Sequence, residues 1–174
     1  MKVKSKCKKT DKDMVTIIAA VGRDGAIGRN GDLAFHIRED MRHFKALTTS
    51  HTVVMGRKTF ESLPKGALPD RRNIVITRQP DYAAPGIETA GSLEQALAMA
   101  SGEEVFIIGG GEIYRQAIAI AQRMELTVID ADSPDADTHF PTFNEADWTK
   151  ATESQWATDP KSGLSYSFIC YCRR

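Results

Sequence analysis

The sequence predicts an α/β fold: a mostly parallel central sheet of about eight strands, with helices on both faces and a C-terminal antiparallel hairpin. Short apolar runs alternate with helical patterns along most of the chain. This alternation is typical of parallel strands joined by helices. After Pro141 the pattern changes to two strands around a turn, which indicates an antiparallel edge. The 174 residues suit a single sizeable core.

The predicted parallel strands are short and almost continuously apolar, as expected for strands that are buried on both faces. They cover residues 15–21, 52–56, 73–77, 86–89, 105–108 and 126–129. The hairpin strands are expected at 147–156 and 164–172, around a turn at 159–163.

Four helices are predicted between these strands, and a glycine-rich loop is expected over 22–31. The first helix occupies the second half of 31–45, the second covers 57–62, the third runs from 93 to 100, and the fourth runs from 111 to 121. Ser92 precedes the third helix, where its side chain can cap the free N–H groups of the first turn.

Charge and composition exclude several classes of protein. Lysine plus arginine equals aspartate plus glutamate, at 23 each, so no overall field favours nucleic acid or a membrane. No apolar run is long enough to span a bilayer. The four histidines and three cysteines resemble neither a metal site nor a disulfide framework. We expect a protein of the reducing cytoplasm, without a metal and monomeric, because no extensive apolar helix face suggests a dimer.

Residues 1–13 differ from the rest of the chain. They contain six lysines and two aspartates, a net charge of +4, and no hydrophobic region for a secretory signal. We interpret them as a disordered extension, an upstream start or a vector-derived sequence. A weak polyanion-binding arm is the alternative. Residues 14–174 form one predicted domain.

Asp40 stands in an unusual place for a carboxylate. Phe44 and Leu47 follow it at four and seven residues, on the helix face that would be buried. A buried carboxylate finds a donor or shifts its pKa, and in a cleft it is a candidate for binding and proton chemistry. An acid in the first turn that stabilises the helix dipole is the alternative, and position alone favours it.

Three strand ends carry groups suited to an anion. Gly109-Gly110-Gly111 lies between a buried strand and a helix, Arg57-Lys58-Thr59 opens a helix directly after a strand, and Thr77-Arg78 leaves another strand. Each has an ordinary alternative: a tight turn for the glycines, a solvated turn for the cations. Parallel strands end at one edge, where open α/β sheets bind ligands. Together the three ends predict a ligand with several phosphates, such as a dinucleotide with an additional 2′-phosphate.

At this point the ordered motifs resemble dihydrofolate reductase of the bacterial monomeric kind, across essentially all of 14–174. The matching motifs are Ile17-Ile18-Ala19-Ala20, Ile27-Gly28, Asp40 with Phe44-Lys45, Val54 to Ser62, Leu68-Pro69 with Arg71 and Asn73, Ile108 to Gly111 with Ile113-Tyr114, Leu126-Thr127, and Asp137 to Pro141.

The resemblance implies hydride transfer from NADPH to 7,8-dihydrofolate, giving 5,6,7,8-tetrahydrofolate for the one-carbon metabolism of thymidylate and purine synthesis. It implies that Asp40 and Thr127 anchor the pterin. Asp40 would raise the proton affinity of the substrate while a water delivers the proton. Dihydrofolate and antifolate inhibitors are the implied small-molecule partners.

The resemblance also implies two sets of binding residues. The substrate set comprises Ile18, Ala20, Asp40, Met41, Phe44, Leu63, Leu68, Arg71, Ile108, Tyr114 and Thr127; for each apolar member, plain core packing is the alternative. The cofactor set comprises Ala20, Ile27, Gly56, Arg57, Lys58, Thr59, Thr77, Arg78, Ile108, Gly109, Gly110, Gly111, Glu112, Ile113, Tyr114 and Gln116. Arg71 would bind the α-carboxylate of the glutamate tail, Arg57 and Arg78 would pair with the 2′-phosphate, and the Gly109–Gly110 bond would be cis.

The chain departs from the family at several positions. Ala34-Phe35 replaces the usual Pro-Trp, and Phe35, counted with Asp40 and Thr127 among the catalytic residues, cannot donate a hydrogen bond to an ordered water. Arg38 stands where proline is common, and Asp70 replaces a frequent glycine. The changes at 34–35 suggest altered binding of diaminopyrimidine antifolates.

Two other functions stay open on the sequence. One is an NADPH-dependent reductase of a pyrimidine in the riboflavin pathway, which shares the fold but lacks an equivalent of Asp40 and Arg71. The other is a non-catalytic folate- or nucleotide-binding protein, an alternative that Phe35 keeps open.

Overall fold

A computed structural model describes Cys7 and residues 12–174. The expectation of a disordered extension therefore falls mainly outside the described residues. The strands are β1 Val15–Gly22, β2 Ala26–Arg29, β3 Asp32–Leu33, β4 Thr52–Gly56, β5 Arg72–Ile76, β6 Ile87–Ala90, β7 Val105–Gly109, β8 Arg123–Ile129, β9 Thr138–His139, β10 Trp148–Glu153, β11 Ala157–Thr158 and β12 Ser165–Arg173. The helices are α1 Arg38–Thr48, α2 Arg57–Ser62, α3 Leu93–Met99 and α4 Gly111–Ala117, with a 3₁₀ turn at Glu145–Asp147.

The main sheet has the order β10-β12-β8-β1-β7-β4-β5-β6, and β11 pairs with β12 at one end. From β8 to β6 all neighbours are parallel, whereas β12 is antiparallel to both β8 and β10. The predicted fold class is confirmed: a mostly parallel sheet with a C-terminal antiparallel hairpin.

Helices cover both faces of this sheet because its strands are apolar on both sides. On one face α3 and α4 pack against β4, β5 and β7, where Val54, Ile74 and Ile107 are fully buried. On the other face, which we call the α1 face, Phe44 and Leu47 of α1 pack against Val53, Met55 and Phe106. The burial of Phe44 and Leu47 confirms the predicted apolar face of α1.

Two local predictions need correction. The expected loop at 22–31 contains β2, which joins β3 and β9 in a second, three-stranded sheet. Its strands have only two to four residues, too few for an alternating pattern to be recognised. The fourth helix ends at Ala117, not 121, because the backbone then turns and the N–H of Gln122 donates to the carbonyl of Val15 at the start of β8. The predicted cap of α3 is present: the Oγ of Ser92 accepts from the N–H of Gln95 at 3.0 Å.

The expectation of no disulfide is wrong in this structure. Cys7 and Cys172 form a disulfide between the extension and β12, with 5.5 Å between their Cα atoms. The two residues are 165 positions apart, and no local spacing can reveal a pairing between the chain ends. Cys170 is a buried thiol. Within the described range, none of the helices is long and apolar enough to cross a membrane.

Candidate active site

A carboxylate and a hydroxyl meet where α1 crosses the sheet. Asp40 lies in the first turn of α1, and the Oγ1 of Thr127, on β8, donates to its Oδ1 at 2.5 Å. The two residues are 87 positions apart, so the fold and not the local sequence brings them together. Thr127 pairs with Ala20 on β1 and with Phe168 on β12, which places the three residues in one row of the sheet.

Burial dominates the electrostatics of this carboxylate. Desolvation raises the pKa of Asp40, and the hydrogen bond from Thr127 opposes that shift. Burial and the nearby charge of Asp40 also raise the pKa of Tyr114, whose hydroxyl donates to the carbonyl of Ile18 at 2.8 Å. A carboxylate in a partly desolvated pocket can accept two hydrogen bonds from one edge of a heterocycle.

Five apolar members of the predicted substrate set lie together on the α1 face of the sheet. Ile18, Phe44, Leu63, Leu68 and Ile108 belong to one cluster with Met55 and Phe60. Ala20 instead packs against a separate cluster that contains Phe35, and Tyr114 belongs to the cluster around α3 and α4. Met41, by contrast, exposes half of its side chain. Met41 directly follows Asp40 on α1.

Arg71 lies at the far end of this apolar cluster. Its Nε donates to the carbonyl of Pro69 at 2.8 Å, and its Nη1 donates to the Oγ1 of Thr48 at 3.1 Å. The guanidinium carbon is 6.0 Å from the centre of the Phe44 ring. Burial lowers the pKa of Arg71, and the charge of Asp70 opposes the shift. Among the described residues these bonds use Nε and Nη1, so Nη2 can donate to a ligand.

The glycine turn at the end of β7 packs tightly against α2. The Gly109–Gly110 peptide bond is cis, and Gly109 has φ = +135°. A Cβ on either glycine would lie 3.3 or 3.2 Å from the Oγ1 of Thr59. A side chain on either glycine would therefore crowd Thr59, and the bare backbone of this turn faces the start of α2, as close contact with a ligand requires.

The predicted cations lie along the carboxyl ends of β4 and β5. Arg57 is half-buried, 3.7 Å from Glu61 through Nε and 5.9 Å from the centre of the Tyr82 ring. Lys58 and Arg78 are exposed. A depression of about 490 Å³ opens here, lined by Thr77, Arg78, Gln79, Pro80, Thr89, Ala90, Gly91 and Gln95.

The remaining cofactor-set residues are divided between buried and exposed positions. Ile113 is a buried residue of α4, and Ile27 is partly buried on β2. Glu112 and Gln116 are exposed on α4, where hydrogen bonds from Arg115 and Gln116 lower the pKa of Glu112. Gly56 is the N-cap residue of α2. A Cβ at this position would lie 3.4 Å from Cγ1 of Ile113.

Phe35 is buried in a separate apolar cluster with Ala26, Ile37, Ile129 and Tyr166. Its ring lies so close to Gly22 that a Cβ there would be 2.7 Å from Cε2. The loop that carries it is fastened by the carboxylate of Asp137, whose Oδ2 accepts from the N–H of Asn30 at 2.8 Å.

Several residues near the site escaped the sequence analysis. Thr48 holds Arg71, Tyr82 lies beside Arg57, and Phe168 faces Thr127 while its ring stacks on His43 at 4.1 Å. The alternation in β12 could have placed Phe168 on the α1 face, and the four-residue spacing from Phe44 could have indicated Thr48. Nothing in the sequence indicated Tyr82.

The comparisons with known proteins agree with this geometry. The family model described as dihydrofolate reductase matches residues 14–173. Dihydrofolate reductase of Neisseria meningitidis serogroup A is 46% identical over 160 residues, which are 91% of this chain and 98% of the relative. Dihydrofolate reductase type 3 of Salmonella typhimurium is 41% identical, over 92% of this chain and 99% of the relative.

A solved structure, dihydrofolate reductase from Enterococcus faecalis complexed with NADP(H) and RAB-propyl, superposes with a TM-score of 0.87 at 32% identity. The match covers 93% of this chain and 97% of that one. The family match, the identities over nearly whole lengths and the shared fold lead to one conclusion: the chain belongs to the dihydrofolate reductase family.

Proposed function

We propose that this protein reduces 7,8-dihydrofolate to 5,6,7,8-tetrahydrofolate with NADPH. The observation that carries the proposal is the hydrogen-bonded pair of Asp40 and Thr127 beside an apolar cluster. A pterin presents an amino group and a ring N–H on one edge, and a buried carboxylate accepts both in a fixed orientation. Arg71, at the other end of the cluster, supplies the cation that an α-carboxylate needs.

Asp40 would act on proton affinity and not as the direct donor. Its negative charge in a partly desolvated pocket favours a protonated pterin, and the hydrogen bond from Thr127 fixes the orientation of the carboxylate. A water would deliver the proton to the ring nitrogen. Phe35 has no N–H with which to order that water, so the step would depend on backbone groups or the substrate itself.

The residues at the strand ends fit a phosphorylated dinucleotide. The glycine turn leaves a cradle beside Thr59 that any Cβ would fill, and the cations of α2 and of the β5 end lie along one edge. Gly109 to Gly111, Lys58 and Thr59 would hold the pyrophosphate, and Arg57, Thr77 and Arg78 the 2′-phosphate. Bound NADPH supplies the hydride. The NADP(H) in the Enterococcus faecalis relative supports this assignment.

The direct test follows the loss of reduced-nicotinamide absorbance when the protein is mixed with NADPH and dihydrofolate. We expect rapid oxidation, and Asp40→Asn should lower kcat by about 10²–10³-fold, because the charge that would favour a protonated pterin is lost. Glu39→Gln, on the same helical turn but exposed, is the matched control and should leave the rate unchanged. NADPH binding without oxidation would favour the pyrimidine reductase or the non-catalytic binding protein.

A second proposal concerns inhibitors: the Ala34-Phe35 pair alters the binding of diaminopyrimidine antifolates. Phe35 packs into its own cluster and lacks a donor. The inhibition constant of a diaminopyrimidine, compared between the parent and Phe35→Trp, tests this. An unchanged constant, equal to that of relatives with Trp, would contradict the proposal.

We propose further that the enzyme acts as a monomer in the cytoplasm and supplies tetrahydrofolate for thymidylate and purine synthesis. Size-exclusion chromatography with light scattering tests the first part. Rescue of a reductase-deficient host on medium without thymidine and purines tests the last.

A further inference from the structure

All three cysteines of the chain come together at one place on the α1 face of the sheet. The sulfur atoms of Cys7, Cys170 and Cys172 lie within 4.8 Å of one another. Two of them alternate on β12, and the third reaches them from the extension, outside the residues matched by the family.

A carboxylate lies beside the cluster. Glu125 on β8 is the cross-strand partner of Cys170, and the two side chains are hydrogen-bonded. The Glu125 side chain is only 14% exposed, and its Oε1 is 3.5 Å from the Nε of Arg123. Arg123 pairs also with Glu104, so this part of the face carries one more acid than it carries arginine.

From this arrangement we propose that the reduced protein binds one thiophilic divalent cation of the Zn²⁺ class through Cys7, Cys170 and Cys172, with Glu125 as the fourth ligand. A tetrahedral zinc site with Zn–S bonds of about 2.3 Å places its sulfurs about 3.8 Å apart. No two of the three sulfurs are more than 4.8 Å apart, and after reduction the sulfurs of Cys7 and Cys172 must move apart to reach that spacing. Soft thiolates select such ions over Mg²⁺ or Ca²⁺.

The site requires the thiol state. The Cys7–Cys172 disulfide must first take up two electrons from a thiol reductant, which becomes a disulfide and leaves two thiols on the protein. Metal binding then replaces the three S–H protons and releases them to solvent. Disulfides are rare in the cytosol, so the thiol state is the relevant one if the proposed location holds. The cation would thus take over the link between the extension and β12.

The test uses the full chain, reduced and freed of reductant without oxygen, with Co²⁺ as the probe. We expect one equivalent to bind with the sulfur-to-cobalt absorption of a tetrahedral thiolate site, and Zn²⁺ to displace it. Bound Zn²⁺ should protect all three thiols from alkylation. The oxidised protein should show no such absorption.

The variants identify the ligands. Cys7→Ser lies outside the matched domain, so it should remove the thiolate signal while the reductase domain stays folded. Cys170→Ser and Cys172→Ser should do the same. Glu125→Gln should weaken binding by about 10–100-fold, whereas Glu104→Gln, which removes a neighbouring charge without touching a sulfur, should not. Absence of the thiolate absorption in the reduced parent, or its persistence in Cys7→Ser, would overturn the proposal.

Discussion

The charge of ionised Asp40 destabilises the folded protein, because burial raises the pKa of Asp40 more than the Thr127 hydroxyl lowers it. A raised pKa means that the group favours folding most at low pH, below its unfolded value of 3.8, and that this contribution is lost as pH rises through the folded pKa. At pH 7 the charge therefore opposes folding.

We expect Asp40→Asn to unfold at higher urea concentration than the parent at pH 7, because the amide keeps an oxygen for Thr127 without the charge. The gain should shrink as pH falls from 7 toward 4. Thr127→Val is the counterpart: it removes a donor to a charged group and should lower the free energy of unfolding by about 1.5–3 kcal/mol. A less stable Asp40→Asn at pH 7 would contradict the argument.

Asp70 gives the second prediction at this scale. Its φ is +59°, in the left-handed region that disfavours a Cβ and that glycine adopts without strain. Asp70→Gly should raise the free energy of unfolding by up to about 1 kcal/mol, and Asp70→Val should lower it by about 1–2 kcal/mol. Denaturant unfolding measures both. Asp81→Gly, at an exposed aspartate without a positive φ, should not stabilise.

The small sheet of β2, β3 and β9 is the element that holds the loop beside the site. Besides the ladder bonds, it depends on the Asp137 carboxylate, which accepts from the N–H of Asn30 and the hydroxyl of Thr138. These bonds lower the pKa of Asp137, so it stays ionised across the neutral range. The loop is therefore fastened by an acceptor that water can reach and replace.

We expect Asp137→Ala to slow NADPH turnover several-fold while it changes the free energy of unfolding by less than about 1 kcal/mol, since the bond is exposed. Stopped-flow turnover and urea unfolding separate the two effects. Asp135→Ala removes a neighbouring exposed charge that pairs only loosely with Arg29, at 3.7 Å, and serves as the control. Equal loss of turnover in both variants would show that the bond between Asp137 and Asn30 has no specific effect on turnover.

Elements with a strong pattern could be predicted from the sequence, and elements without one could not. The buried strands, the Ser92 cap and the hairpin after Pro141 follow from apolar runs, a capping residue and a turn. The second sheet could not, because strands of two to four residues form through pairing with a distant segment. The Thr48–Arg71 hydrogen bond could not be predicted either, because it joins residues 23 positions apart that only the fold brings together.

At the scale of the whole molecule, the Cys7–Cys172 disulfide closes a loop of 165 residues. In the chain-entropy description, a loop of that length stabilises the folded state by up to about 5 kcal/mol, because the open unfolded chain has more freedom to lose. We expect reduction to lower the midpoint of urea unfolding without altering the reductase rate at low urea. In buffer free of divalent metal ions, Cys7→Ser should unfold at the same midpoint as the reduced parent. Identical midpoints for the oxidised and reduced parent would show that the link does not constrain the unfolded chain.

The meeting of the two chain ends has a use in protein engineering. With 5.5 Å between the Cα atoms of residues 7 and 172, a short peptide can link these two positions directly. New termini can then be opened at the exposed hairpin turn around Lys161 and Ser162, far along the chain from Asp40. The new termini would fall between β11 and β12, so a circular permutant of this design would keep every strand of the main sheet continuous.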